Sequence, residues 1–141
     1  VADLLDGLAR HLQSQGLVAY EPDVAGGDCF LEEMPPEPDE CVVLTLYGGP
    51  EPDSLSGYSE PRLQVRTRGG RGDRRTSRTR AEAIFNELEG LGTLTLPDGT
   101  HLLLCYALQA VPASMGVDEN NRHEHSCNYQ LSVRHLTKHR V

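Results

Sequence analysis

Leu4, Leu5, Leu8 and Leu12 recur at helical spacing between Ala2 and Gln15, with Ala9 beside them, which predicts an amphipathic helix with one apolar stripe. Asp3 and Asp6 stand in its first turn, where negative charge suits the helix dipole, and Gly16 is a natural stop. Residues 17–27 show no period, and Cys29-Phe30-Leu31 is a short strand candidate. The segment Met34-Pro35-Pro36-Glu37-Pro38-Asp39 is barred from regular structure, because its prolines lack donors and favour an extended, solvated path. Cys41 to Tyr47 is a nearly continuous apolar run rich in β-branched residues, the pattern of a central strand.

A Pro/Gly/Ser-rich loop over 48–61 leads to a second strand at 62–68. There Leu63, Val65 and Thr67 alternate with Arg62, Gln64, Arg66 and Arg68, so one face is apolar and the other is polar and mostly arginine. The two strands are expected to be antiparallel neighbours. Gly69 to Asp73 reads as a Gly/Arg loop whose last residue caps a second helix. Ala81, Ile84, Phe85, Leu88 and Leu91 form the apolar face of that helix, which is expected to end near Leu91. Residues 93–96 and 101–109 form a hairpin about Pro97-Asp98-Gly99. Residues 112–121 read as loop and 123–136 as a long last strand. The element order is α-β-β-β-α-β-β-β. The expectation is one α+β domain over 1–141, with a mostly antiparallel sheet of about five to six strands and two flanking helices.

Composition narrows this little. A chain of 141 residues can bury an ordinary core without staples, and no Trp is present, so that core is aliphatic. No apolar run approaches the roughly 20 residues that span a bilayer, and acids rather than a basic segment open the chain, so neither a membrane span nor a signal peptide is expected. Cys29, Cys41, Cys105 and Cys127 form no CxxC pair; buried reduced thiols are expected, and with them an intracellular site of folding.

Charge changes the picture more. Residues 61–80 hold eight arginines against Asp73 alone, a net of +7; residues 1–60 hold thirteen acids against Arg10, a net of −12; residues 81–141 hold seven acids and four bases, a net of −3, which together make the chain's −8. Whole-molecule charge argues against a general binder of nucleic acid or anionic membrane. Arg74, Arg75, Arg78 and Arg80 crowd the first half of the second helix, where the dipole disfavours cations by a few tenths of a kcal/mol each, about 0.3 or more. Local stability does not account for them, and a partner does. The candidate interface is Arg66, Arg68, Arg71, Arg74, Arg75 and Arg78.

Motifs for chemistry are weak. His123-x-His125-x-Cys127 puts three zinc-ligating types on one strand face, but no second His/Cys pair stands at a fitting distance. Asp118-Glu119-Asn120-Asn121-Arg122 lacks the order of a calcium loop and reads as a polar turn. Gly69-Gly70-Arg71-Gly72 matches neither phosphate-binding glycine motif, and Arg71-Gly72-Asp73 reads as a helix cap rather than an adhesion tripeptide. There is no nucleophile elbow and no HExxH. No enzyme activity, metal or cofactor is expected.

Several stretches together are similar to one family. Met34-Pro35-Pro36-x-Pro38-Asp39, then Val42-Val43-Leu44-Thr45-Leu46-Tyr47-Gly48-Gly49, then Leu63-Gln64-Val65-Arg66-Thr67-Arg68-Gly69 resemble the tail terminator or minor capsid proteins of long-tailed bacteriophages. Ala81-x-x-Ile84-Phe85-x-x-Leu88, Pro97-Asp98-Gly99, Asp118-Glu119-x-x-Arg122-x-Glu124 and Asn128-Tyr129 fit the same layout, so the resemblance covers nearly the whole chain. It implies a small α+β virion protein that assembles as a ring, typically a hexamer, caps the tail tube and joins tail to head. The implied partners are further copies of the chain, the tail tube protein and a head-tail connector protein. The implied place is the head-tail junction of the virion, reached from the host cytoplasm during assembly. A basic island and an acidic segment would supply the two unlike patches that a head-to-tail ring needs. The alternative is a head-tail connector module that contacts nucleic acid through the Arg-rich 66–80 stretch.

Overall fold

The structure, a computed structural model, describes residues 3–140. Helix α1 spans Leu4–Ser14 and is capped by Asp3, whose carboxylate accepts from the Asp6 amide at 2.9 Å. Its buried Leu5, Leu8, Ala9 and Leu12 are the apolar stripe read from the sequence. After it come β1 (Cys29–Leu31), β2 (Cys41–Tyr47), β3 (Tyr58–Ser59) and β4 (Arg62–Arg71). Helix α2 (Arg74–Leu88) separates these from β5 (Leu94–Thr95), β6 (His101–Ala107), β7 (Ala113–Val117) and β8 (Arg122–Arg134). The protein is α+β.

One sheet holds all eight strands in the order β1-β2-β4-β8-β6-β5, with β3 and β7 also paired to β8. Only β1 and β2 are parallel; the other pairs are antiparallel, including β2 with β4. The 13-residue β8 is the spine: β4 and then β3 run along one side of it, β7 and then β6 along the other.

Register decides which side chains meet the helices. Leu44 lies opposite Val65, Val65 opposite Cys127, Leu63 opposite Tyr129, and Cys105 opposite Leu131. Residues paired in this way point to the same face, and these join Leu8, Leu12, Ile84 and Leu88 in one core. Both helices therefore cover the same face, linked by His11 and Glu87 at 2.8 Å. The other face carries Gln64, Arg66, Glu124 and Ser126 beside Met115. All four cysteines are buried and free; burial pushes the thiols of Cys29 and Cys105 up to about 12.

Several boundaries differ from the sequence reading. The Gly/Arg loop is mostly strand: β4 continues to Arg71, which lies opposite Arg122 beyond a bulge. The hydrophobic period stops at the glycines, but the backbone ladder does not. Glycine is required at 69, where a Cβ would lie 2.7 Å from the Asp73 carbonyl. Helix α2 ends at Leu88, because Glu89 turns to extended geometry and the Gly90 amide donates to Cys105; Leu91 packs on the core from outside the helix. The 112–121 loop contains β7, whose five residues are all exposed and so carry no alternation to detect. The 48–61 loop contains β3, whose two residues are too few to show an alternation.

Candidate functional site

At the end of the sheet where β4 runs into α2, the proline-rich segment folds back over the open face. Such a segment offers carbonyl acceptors and few donors, whereas arginine offers five donors and no acceptor. Arg68 and Arg122 meet this need. The Arg68 side chain donates to the carbonyls of Asp39 at 2.9 Å and Pro38 at 2.7 Å, and Arg68 is 3% exposed. Arg122 donates to the Pro36 carbonyl at 2.6 Å, to Asp39 at 3.1 Å and to Asp118 at 2.9 Å, its side chain 5% exposed. Met34 closes the segment against buried Cys41, with sulfur atoms 3.2 Å apart.

Asp118 is the counterpart on the β7–β8 turn. Burial alone would raise its pKa, but hydrogen bonds from the Arg122 and Asn120 amides and from the Arg122 guanidinium outweigh that and hold the carboxyl below the usual carboxylate range. The turn is a polar turn, with its acid engaged by the chain itself.

Helix α2 starts immediately above this clamp. Asp73 is its N-cap, accepting from the amides of Arg75 at 3.1 Å and Thr76 at 3.2 Å, so the Arg-Gly-Asp sequence serves as a cap. Under the first turns, Ser77 meets His125 Nδ1 at 2.7 Å and Thr67 Oγ1 at 3.4 Å. Burial, then the charges of Arg78 and His123, lower the His125 pKa, with Glu82 opposing. Cys127 lies in the core. His125 and Cys127 thus have structural partners, and no metal-binding group of His, Cys, Asp or Glu occurs among the described residues.

The six candidate interface arginines separate. Arg68 is buried and its side chain serves the clamp. Arg66 pairs with Glu124 at 2.8 Å on the open face and is half-exposed. Arg71, Arg74, Arg75 and Arg78 are exposed. Arg71 approaches Asp39 at 3.8 Å, and Arg74, Arg75 and Arg78 have no ion pair among the described residues. Arg80 turns back to Asp28 at 2.8 Å and to the Leu17 carbonyl. The expectation that local stability accounts for none of Arg74, Arg75, Arg78 and Arg80 fails at Arg80, and the interface candidates Arg66 and Arg68 also have partners inside the chain. Arg122 was absent from the candidates, although two signals pointed to it. It stands four residues after Asp118, and a proline-rich loop must find donors elsewhere.

The result is a two-layer α+β fold with an exposed basic tip at the start of α2. A model of the bacteriophage tail terminator protein family matches residues 11–134. The chain belongs to that family. A search of curated proteins finds no match. No helix among the described residues is long and apolar enough to cross a membrane.

Proposed function

We propose that this protein forms a ring, a hexamer as tail terminators are expected to, that caps the finished tail tube and joins tail to head. In this reading it works at the head-tail junction of the virion after assembly in the host cytoplasm. Its partners are other copies of itself, the tail tube protein and a head-tail connector protein. Arg71, Arg74, Arg75 and Arg78 are the docking residues. The observation that supports this is the exposed arginine tip in a chain of the tail terminator family. The tip stands on a buried clamp that fixes its position, and its cations oppose the helix dipole. Charges so placed steer association and set register more than they add affinity.

Reversal of all four to glutamate tests the proposal. The expected outcome is a protein that remains folded and infected cells that yield tails of irregular length, unjoined to heads. Tails of normal length joined to heads would overturn it. Protein is favoured over nucleic acid as the partner because Asp39, 3.8 Å from Arg71, and Glu40, which lines a recess with Gly70, lie next to the tip and would repel phosphate.

A further inference from the structure

Next to the clamp, two adjoining recesses of about 530 and 490 Å³ run along the β1 side of the sheet and share Gly26, Gly27 and Pro38. Glu21 and Glu37 line one, and Asp28, Asp39 and Glu40 line the other. Two of these acids have partners in the chain, Asp28 with Arg80 and Asp39 with Arg122. Glu21, Glu37 and Glu40 are exposed and have no ion pair among the described residues. The floor is not a loose acidic loop. Its proline-rich wall is pinned by Arg68 and Arg122, and its glycine wall by Asp28, which accepts from the Ala19 amide at 2.8 Å and from Arg80.

The same chain thus carries two pre-positioned and unsatisfied sets of opposite charge. One is convex, Arg74, Arg75 and Arg78 on the first turns of α2; the other is a concave groove with Glu21, Glu37 and Glu40. Within one subunit they do not meet: only Arg71 comes near, at 3.8 Å from Asp39. We infer that the groove receives the arginine tip of a second copy of the chain. Each contact between copies then neutralises a tip and a groove together, and unlike patches of this kind are what a head-to-tail ring requires. The inference rests on the ring reading above and names the partner of its docking residues. The contact is polar and open to solvent, so salt should weaken it.

Charge exchange tests this. One variant carries Arg74→Glu, Arg75→Glu and Arg78→Glu; a second carries Glu21→Lys, Glu37→Lys and Glu40→Lys; a third carries all six. Sedimentation velocity over a concentration series reads self-association, and circular dichroism checks that each variant is folded. The expected result is an oligomer for the wild type, loss of the oligomer boundary for each triple variant, and its return in the six-fold variant and in an equimolar mixture of the two triples. A groove variant that assembles like the wild type, or a folded six-fold variant that stays monomeric, overturns the inference while leaving the ring intact. A wild type that stays monomeric at every concentration overturns the ring in solution as well as the groove.

Discussion

Two groups of arginines lie at the same end of the sheet, where β4 leads into α2 and Arg71 lies opposite Arg122, and do opposite things. Arg68 and Arg122 point inward, lose almost all contact with water, and bind carbonyls and carboxylates of the proline-rich loop and the β7–β8 turn. Arg74, Arg75 and Arg78 point outward at a helix start that electrostatically disfavours them. A cation in the first group stabilises the fold because its guanidinium reaches carbonyls and carboxylates of the chain. A cation in the second group has no such return within the chain, so its effect must appear in association. The same side chain is structural or interactive according to whether the backbone nearby presents unpaired acceptors.

Removal of the inward group should have the largest effect. Arg122→Ala removes the guanidinium from Asp118, Asp39 and the Pro36 carbonyl, and taking one partner out of a largely buried cluster of this kind is strongly destabilising. A denaturant midpoint series should show this loss, and assembly should fail only as far as folding does. A variant as stable as the wild type would erase the distinction between the groups.

Acid should reach the clamp next. The Asp118 pKa is depressed in the folded protein, so the unfolded chain binds the proton more readily. The stability it contributes is complete above the unfolded carboxylate value of about 4 and is lost as pH falls through the lower folded value. Asp118→Asn should be less stable near neutral pH, and its stability should fall less steeply below pH 4. Thermal melts from about pH 7 to 2 check the slope; parallel curves for the two proteins would remove Asp118 from the clamp's acid response.

The outward group should give the smallest change in stability and of the opposite sign. Arg74→Gln with Arg75→Gln relieves two unfavourable cations and should raise stability by roughly 0.6 kcal/mol, about 0.3 for each, while tail completion falls. A drop in melting temperature would show that these residues also belong to the fold.

Much of this molecule is legible along the chain. The leucine stripe of α1, the alternation of β4, the apolar run of β2, and Asp73 as a cap are local patterns, and local sterics and burial are enough to set them. So is the excess of arginine at 61–80. Strand β7 is not legible, because all five of its residues are exposed and only its backbone is paired to β8. The continuation of β4 through Gly69 and Gly70 is hidden for a related reason: glycine carries no face to read.

What tertiary structure alone decided is the use of each arginine. Arg66, Arg68, Arg71 and Arg80 look alike in sequence, yet they face, respectively, Glu124, the loop carbonyls, solvent near Asp39, and Asp28. Their partners lie far away along the chain, from β8 at one extreme to the segment before β1 at the other. Local pattern determines which element a residue joins and which face it occupies. Only the packing of distant segments determines whether a charge on that face finds an acceptor inside the subunit or is left for another molecule.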